Sequence, residues 1–132
     1  MLAKAHREHD RLSANFDIDN LFNFFVTANH IQDYVRKTKA VTSSTLDAFL
    51  HDPDFKDCRD LCDKGKHLTL TKRVDPTTST MSGCFGGAPF GAMPFGGGTV
   101  WLLNTGRRSV DVQQLASRVL SKWDAFFLAN GL

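Results

Sequence analysis

The chain has 132 residues, 42% hydrophobic and 23% charged, with a formal net charge of +2. That is enough for one domain with a core of its own, and the weak charge excludes a general pull toward nucleic acid or anionic membrane; such a contact needs a local basic patch. Three cysteines, an odd number, argue against a disulfide framework, and no apolar run approaches the roughly 20 residues of a membrane span.

The start, MLAKAHREHDRL, is charged where a signal peptide is apolar, so cytoplasmic residence without a membrane anchor is the expectation. Residues 3–15 read as a polar helix with sparse apolar marks at Ala3, Leu12 and Phe16. DIDNLFNFFVTANHIQDYVRK follows, with Asp17 as the cap and Asp19 in the first turn, where the helix dipole favours an acid. Its apolar residues fill two adjacent stripes: Ile18, Leu21, Phe22 and Phe25 on one, Phe24, Ala28, Ile31 and Val35 on the other. A helix apolar on that much of its surface is central and has several neighbours.

SSTLDAFL reads as a short helix capped by Ser43 or Ser44. The next helix starts at HDPDF, with Asp52 as cap and Pro53 in the first turn, and Phe55, Cys58, Leu61 and Cys62 form its inner face. Lys64 and Gly65 are expected to end it. HLTLTK alternates and reads as a strand, and TVWLLN from Thr99 to Asn104 as a second. Between the two, the Gly/Phe-rich segment at residues 76–98 is expected to be a flexible loop. The last helix is expected from Ser109 to Asn130, with Val112, Leu115, Ala116, Val119, Trp123, Phe126 and Phe127 inward, and Asn130 and Gly131 as the stop. The fold expected is mainly α, a bundle of four to five antiparallel helices with a small two-stranded hairpin inserted before the last. Phe22, Phe25, Ile31, Trp123 and Phe127 should share its core, and the surplus of Phe suggests a two-fold dimer through helix faces.

The helix NLFNFFVTANHIQDYV, the second one ending CRDLCDKGKHLTL, and the final LASRVLSKWDAFFLANGL together resemble small bacterial and phage proteins of the HEPN-like type. The resemblance covers residues 16–72 and 99–130. It implies an antiparallel, often dimeric helical bundle. Many relatives are RNases of toxin and antiphage systems, and others are not. The active ones pair an Arg, often followed by a polar residue, with a His a few positions on. Here Arg59 is followed by Asp60, but seven residues separate Arg59 from His67, more than the family motif has, and Gly65 lies between them. The resemblance therefore implies a binding or interaction module with a degenerate nuclease-like site. A metal-independent RNase, toxin or antiphage effector, is the alternative. In that case His67 would move the proton of the attacking 2′-hydroxyl and Arg59 would stabilise the charged phosphate. His30, in the middle of the long helix, is a further candidate.

Other residues point elsewhere. Lys64, Lys66, Lys72, Arg73, Arg107 and Arg108 all fall near the hairpin and its adjoining helix ends, and together could hold RNA phosphates. Phe85, Phe90 and Phe95 recur at five-residue intervals and could dock on a protein partner, an antitoxin or a host factor. Cys58, Cys62, His67 and Cys84 match no standard zinc spacing, and His6 with Asp10 lacks a third ligand, so neither metal nor cofactor is expected. GGGTV leads into a strand, not a helix, and is no phosphate loop.

Overall fold

The computed structural model describes residues 1–66, 77–82, 99–105 and 108–132. It has five helices, α1 (Leu2–Ala14), α2 (Ile18–Thr38), α3 (Ser43–Leu50), α4 (Pro53–Lys66) and α5 (Val112–Ala129). Three strands, β1 (Thr77–Ser82), β2 (Thr99–Asn104) and β3 (Ser109–Asp111), lie between α4 and α5. The chain is mainly helical, with an antiparallel hairpin before the last helix.

α2 is the central element, packed on α1, α4 and α5. Its two apolar stripes account for this: Leu21, Phe24, Phe25, Ala28, Ile31 and Val35 are all buried. Its start follows the sequence, since Asp17 is extended and its carboxylate accepts from the Asn20 amide at 2.7 Å. Its end is less conventional. Lys39 takes the left-handed conformation at φ 53°, a place usually given to Gly or Asn.

The inner face of α4 is as expected, with Phe55, Cys58, Leu61 and Cys62 buried against α2 and α5. Phe49, Phe55, Trp123 and Phe126 form one aromatic knot; Phe49 and Phe126 stand 4.3 Å apart, and Trp123 meets Phe126 edge to face. Phe25, Ile31 and Trp123 are in the core, whereas Phe22 and Phe127 are only half-buried. Phe16, Phe49 and Phe127 pack on the core from its edge, so much of the Phe surplus is used inside a single copy.

Several boundaries differ from those the sequence suggests. α3 is capped by Thr42, whose hydroxyl accepts from the Thr45 amide at 3.2 Å, because Thr42 is the residue still in extended conformation. α4 passes through Gly65 and includes Lys66. The segment HLTLTK lies outside the described residues, and the hairpin's first strand is TTSTMS, inside the stretch expected to be loop. Thr77 pairs with Asn104 and Ser82 with Thr99. A Ser/Thr run has no apolar alternation to advertise a strand, but β-branched Thr suits one once a partner edge is present. Ser109–Asp111 is likewise a strand, paired with Leu102–Asn104, and not the first turn of α5. The cap of α5 is Asp111, which accepts from the amides of Gln113 and Gln114 at 2.8 and 3.0 Å.

Candidate functional site

Three aspartates recur every third residue on α4: Asp54, Asp57 and Asp60, all at least nine-tenths buried. Asp54 and Asp57 lie beside the apolar stripe of that helix, on the side turned to α5 and to the turn before β3. Burial of a carboxylate is costly without cations, and here cations arrive from both. Arg108 donates from Nε to Asp57 at 2.8 Å and from Nη2 to Asp54 at 2.6 Å. Arg118 grips Asp54 side-on, with Nε and Nη2 at 3.0 and 3.1 Å. Lys122 joins Asp54 at 2.8 Å and Asp52 at 2.6 Å.

Burial alone would raise the pKa of Asp54, but the hydrogen bonds from Arg118, Lys122 and Arg108 outweigh it and hold the carboxyl well below the usual range. Burial works against the charges of Arg108 and Lys122 as well. Their carboxylate partners, Asp54 with Asp57 for the one and Asp52 with Asp54 for the other, reverse this and raise both pKa values. A carboxylate held so firmly ionised is poorly suited to exchange protons near neutral pH. The network fastens the first turns of α4 to α5.

On the other side of Arg118, between α1 and α5, lies a cleft of about 500 Å³ lined by His9, Leu12, Ser13, Gln113, Gln114, Ser117 and Arg118. His9 Nε2 is 3.0 Å from Ser117 Oγ, and its ring meets Phe24 edge to face. The pair has the separation of a Ser–His dyad but not its surroundings. Ser117 Oγ donates to the Gln113 carbonyl of its own helix at 3.1 Å. The nearby amides of Gln113 and Gln114 are taken by Asp111, so they cannot serve as an oxyanion hole.

A third feature is a narrow pocket of about 50 Å³ between α2, α4 and α5. Asn29, Gln32, Lys56 and Arg59 supply its polar lining, and Trp123 is part of its wall. Gln32 donates to Asn29 Oδ1 at 3.0 Å.

The site residues expected from sequence are distributed as follows. Arg59 is on the outer side of α4, its Nε 3.7 Å from Asp60 Oδ1, and lines the narrow pocket. His30 is half-exposed on α2 with Nδ1 2.7 Å from Asp33 Oδ2, and it is not among the residues lining that pocket. His67, Lys72, Arg73, Arg107, Cys84, Phe85, Phe90 and Phe95 lie outside the described residues. Lys64 is in the last turn of α4, and Lys66 is that helix's final residue. Arg108, expected to face RNA, is engaged by Asp54 and Asp57, and a phosphate would have to compete with both.

Cys58 and Cys62 are buried thiols. Burial, with Cys62 and Asp57 nearby, pushes the Cys58 thiol far above its ordinary pKa. Among the described residues no group of three potential metal ligands comes together, and no helix is long and apolar enough to cross a membrane.

The acid–base network leaves an ambiguous signal in the sequence. Asp54, Asp57 and Asp60 fall at every third position beside an apolar stripe, and Arg118 and Lys122 are one turn apart on α5. Such spacings normally mark a solvated face. A scan against protein-family models found no match to this chain, and searches of the curated proteins and of the solved structures found none either.

Proposed function

We propose that the chain is a HEPN-like binding and interaction module whose Arg59 pocket holds an anionic group, an RNA phosphate, without cutting it. The observation that carries this reading is the lining of the pocket. Lys56 and Arg59 supply charge, and Asn29 and Gln32 supply carboxamides. Among the described residues neither an imidazole nor a carboxylate lines the pocket. Such a set attracts and hydrogen-bonds a phosphate. Among the described residues it holds no neutral-range acid and base of the kind that transfer to and from a 2′-hydroxyl requires.

The test is incubation of purified protein with a mixed RNA pool in the absence of metal. RNA should be retained on a filter, retention should fall in Arg59→Ala and Lys56→Ala, and the strands should stay intact. Metal-free cleavage that is lost in both Arg59→Ala and His67→Ala, with the fold preserved, would establish the RNase alternative instead.

A two-fold homodimer belongs to the same proposal. The pairing of His6 with Asp124 and of His9 with Ser117 makes α1 antiparallel to α5. This sets exposed Met1 at the end of the bundle where Leu128, 85% exposed, and Leu132 also lie. A second copy covering that end would remove them from water. Light scattering should report twice the 14.7 kDa chain mass, and a monomer mass at high concentration would contradict the dimer.

A further inference from the structure

In the cleft between α1 and α5 a guanidinium is fixed in advance by two hydrogen bonds to a buried carboxylate. Arg118 spends Nε and Nη2 on Asp54, whose side chain is 5% exposed. Among the described residues Nη1 makes no hydrogen bond. Asp54 cannot follow Arg118 toward a ligand, because Lys122 and Arg108 hold it from other directions. An Arg oriented in this way loses little side-chain entropy when it binds, which is the advantage of preorganisation.

The remaining lining has a consistent chemical character. His9, Ser13, Ser117, Gln113 and Gln114 surround Arg118 with an imidazole, two hydroxyls and two carboxamides, and among the described residues no carboxylate lines the cleft. Gln113 and Gln114 belong to the first turn of an 18-residue helix; their backbone amides are capped by Asp111, so they contribute their carboxamides. His9 Nε2 and Ser117 Oγ already bond each other, and Ser117 Oγ donates to the Gln113 carbonyl. The donors that remain, Arg118 Nη1, the Ser13 hydroxyl and two carboxamide groups, still suit the three terminal oxygens of a phosphate. The volume, about 500 Å³, falls in the range of small-molecule sites and leaves room for a hydroxylated body beyond the phosphate.

We propose that the α1/α5 cleft is a binding site for a small phosphomonoester, such as a sugar phosphate, anchored on Arg118 Nη1 with Ser13 and the carboxamides of Gln113 and Gln114 around its oxygens. The site is separate from the Arg59 pocket and does not depend on the RNA-binding reading.

The experiment is a titration of the full chain with ribose 5-phosphate, followed by backbone amide NMR, with ribose as the neutral control. Ribose 5-phosphate should shift the amides of residues 9, 13, 114 and 117, and ribose should not. Arg118→Gln should abolish the effect, but it also disturbs the Asp54 network. Gln114→Glu is the cleaner variant, since an acid in the first turn is compatible with the helix while its charge repels the ligand. It should weaken binding by about tenfold or more, equivalent to about 1.4 kcal/mol. Three results would overturn the proposal. One is binding of ribose equal to that of its phosphate. Another is a Gln114→Glu variant that binds as well as the parent. The third is a set of shifts centred on residues 29, 32, 56 and 59, which would assign the phosphate to the other pocket.

Discussion

Replacing Asp54 by Asn keeps the side chain's shape and removes its charge. In the native fold the carboxylate meets Arg108 at 2.6 Å, Lys122 at 2.8 Å and Arg118 at 3.0 Å. Stripping one partner from a fully buried ion pair costs about 3–5 kcal/mol. The three cations here have side chains 34–40% exposed, so each can recover part of its hydration. The expected loss is therefore about 2–3 kcal/mol. For a chain of this length that is a fall in Tm of roughly 6–15 °C.

The pH dependence follows from the same contacts. In the unfolded chain an Asp titrates near 3.9, and in the fold Asp54 is held well below the usual range. The unfolded state thus binds a proton before the native state does. The stabilisation is complete above about pH 5 and is lost progressively as pH falls below about 4. Urea unfolding at pH 7 and at pH 3 should show a smaller gap between wild type and Asp54→Asn at the lower pH. Asp52→Asn is the internal control. Asp52 is 34% exposed and pairs only with Lys122 among the basic residues of the network, and Asn still caps α4, so the cost should stay below about 1 kcal/mol. A loss under about 0.5 kcal/mol for Asp54→Asn, with acid transitions that superimpose, would refute the argument.

Other outcomes follow from single features of the fold. Phe25→Ala, in the centre of α2 at 0% exposure, should cost about 3–5 kcal/mol in urea unfolding; a cost below about 1 kcal/mol would mean the core is not centred there. Lys39→Gly should raise stability by up to about 1 kcal/mol, since Lys39 is left-handed at φ 53° and Gly adopts that conformation without strain; a fall in Tm would count against it. Thiol labelling of the native protein at pH 8 should spare Cys58 and Cys62, which peptide mass spectrometry can verify; rapid labelling of either would contradict their burial.

The helical order of this protein is largely legible in its residues. The two apolar stripes of α2, the Asp–Pro start of α4 and the three- and four-residue spacing of α5 are local patterns, and a helix satisfies its backbone locally. Central placement of α2 follows from the width of its apolar surface. The strands were harder to read. Thr77–Ser82 carries no apolar alternation, and Ser109–Asp111 alternates over only three residues, too few to mark a strand; both become strands through pairing with Thr99–Asn104. Strand formation depends on a partner that lies elsewhere in the chain.

The chemistry depended still more on tertiary packing. Arg59 was visible as a candidate, but the pocket that gives it Asn29, Gln32 and Lys56 joins two helices far apart in sequence. The Asp54 network joins α4 to residues 51–68 positions further on, and His9 meets Ser117 across 108 positions. Sequence alone determined that these acids, bases and hydroxyls exist and on which helices they ride. Only the packing of α1, α4 and α5 decided which of them meet, because a charge or hydrogen bond acts over a few ångströms of space, whatever the separation along the chain.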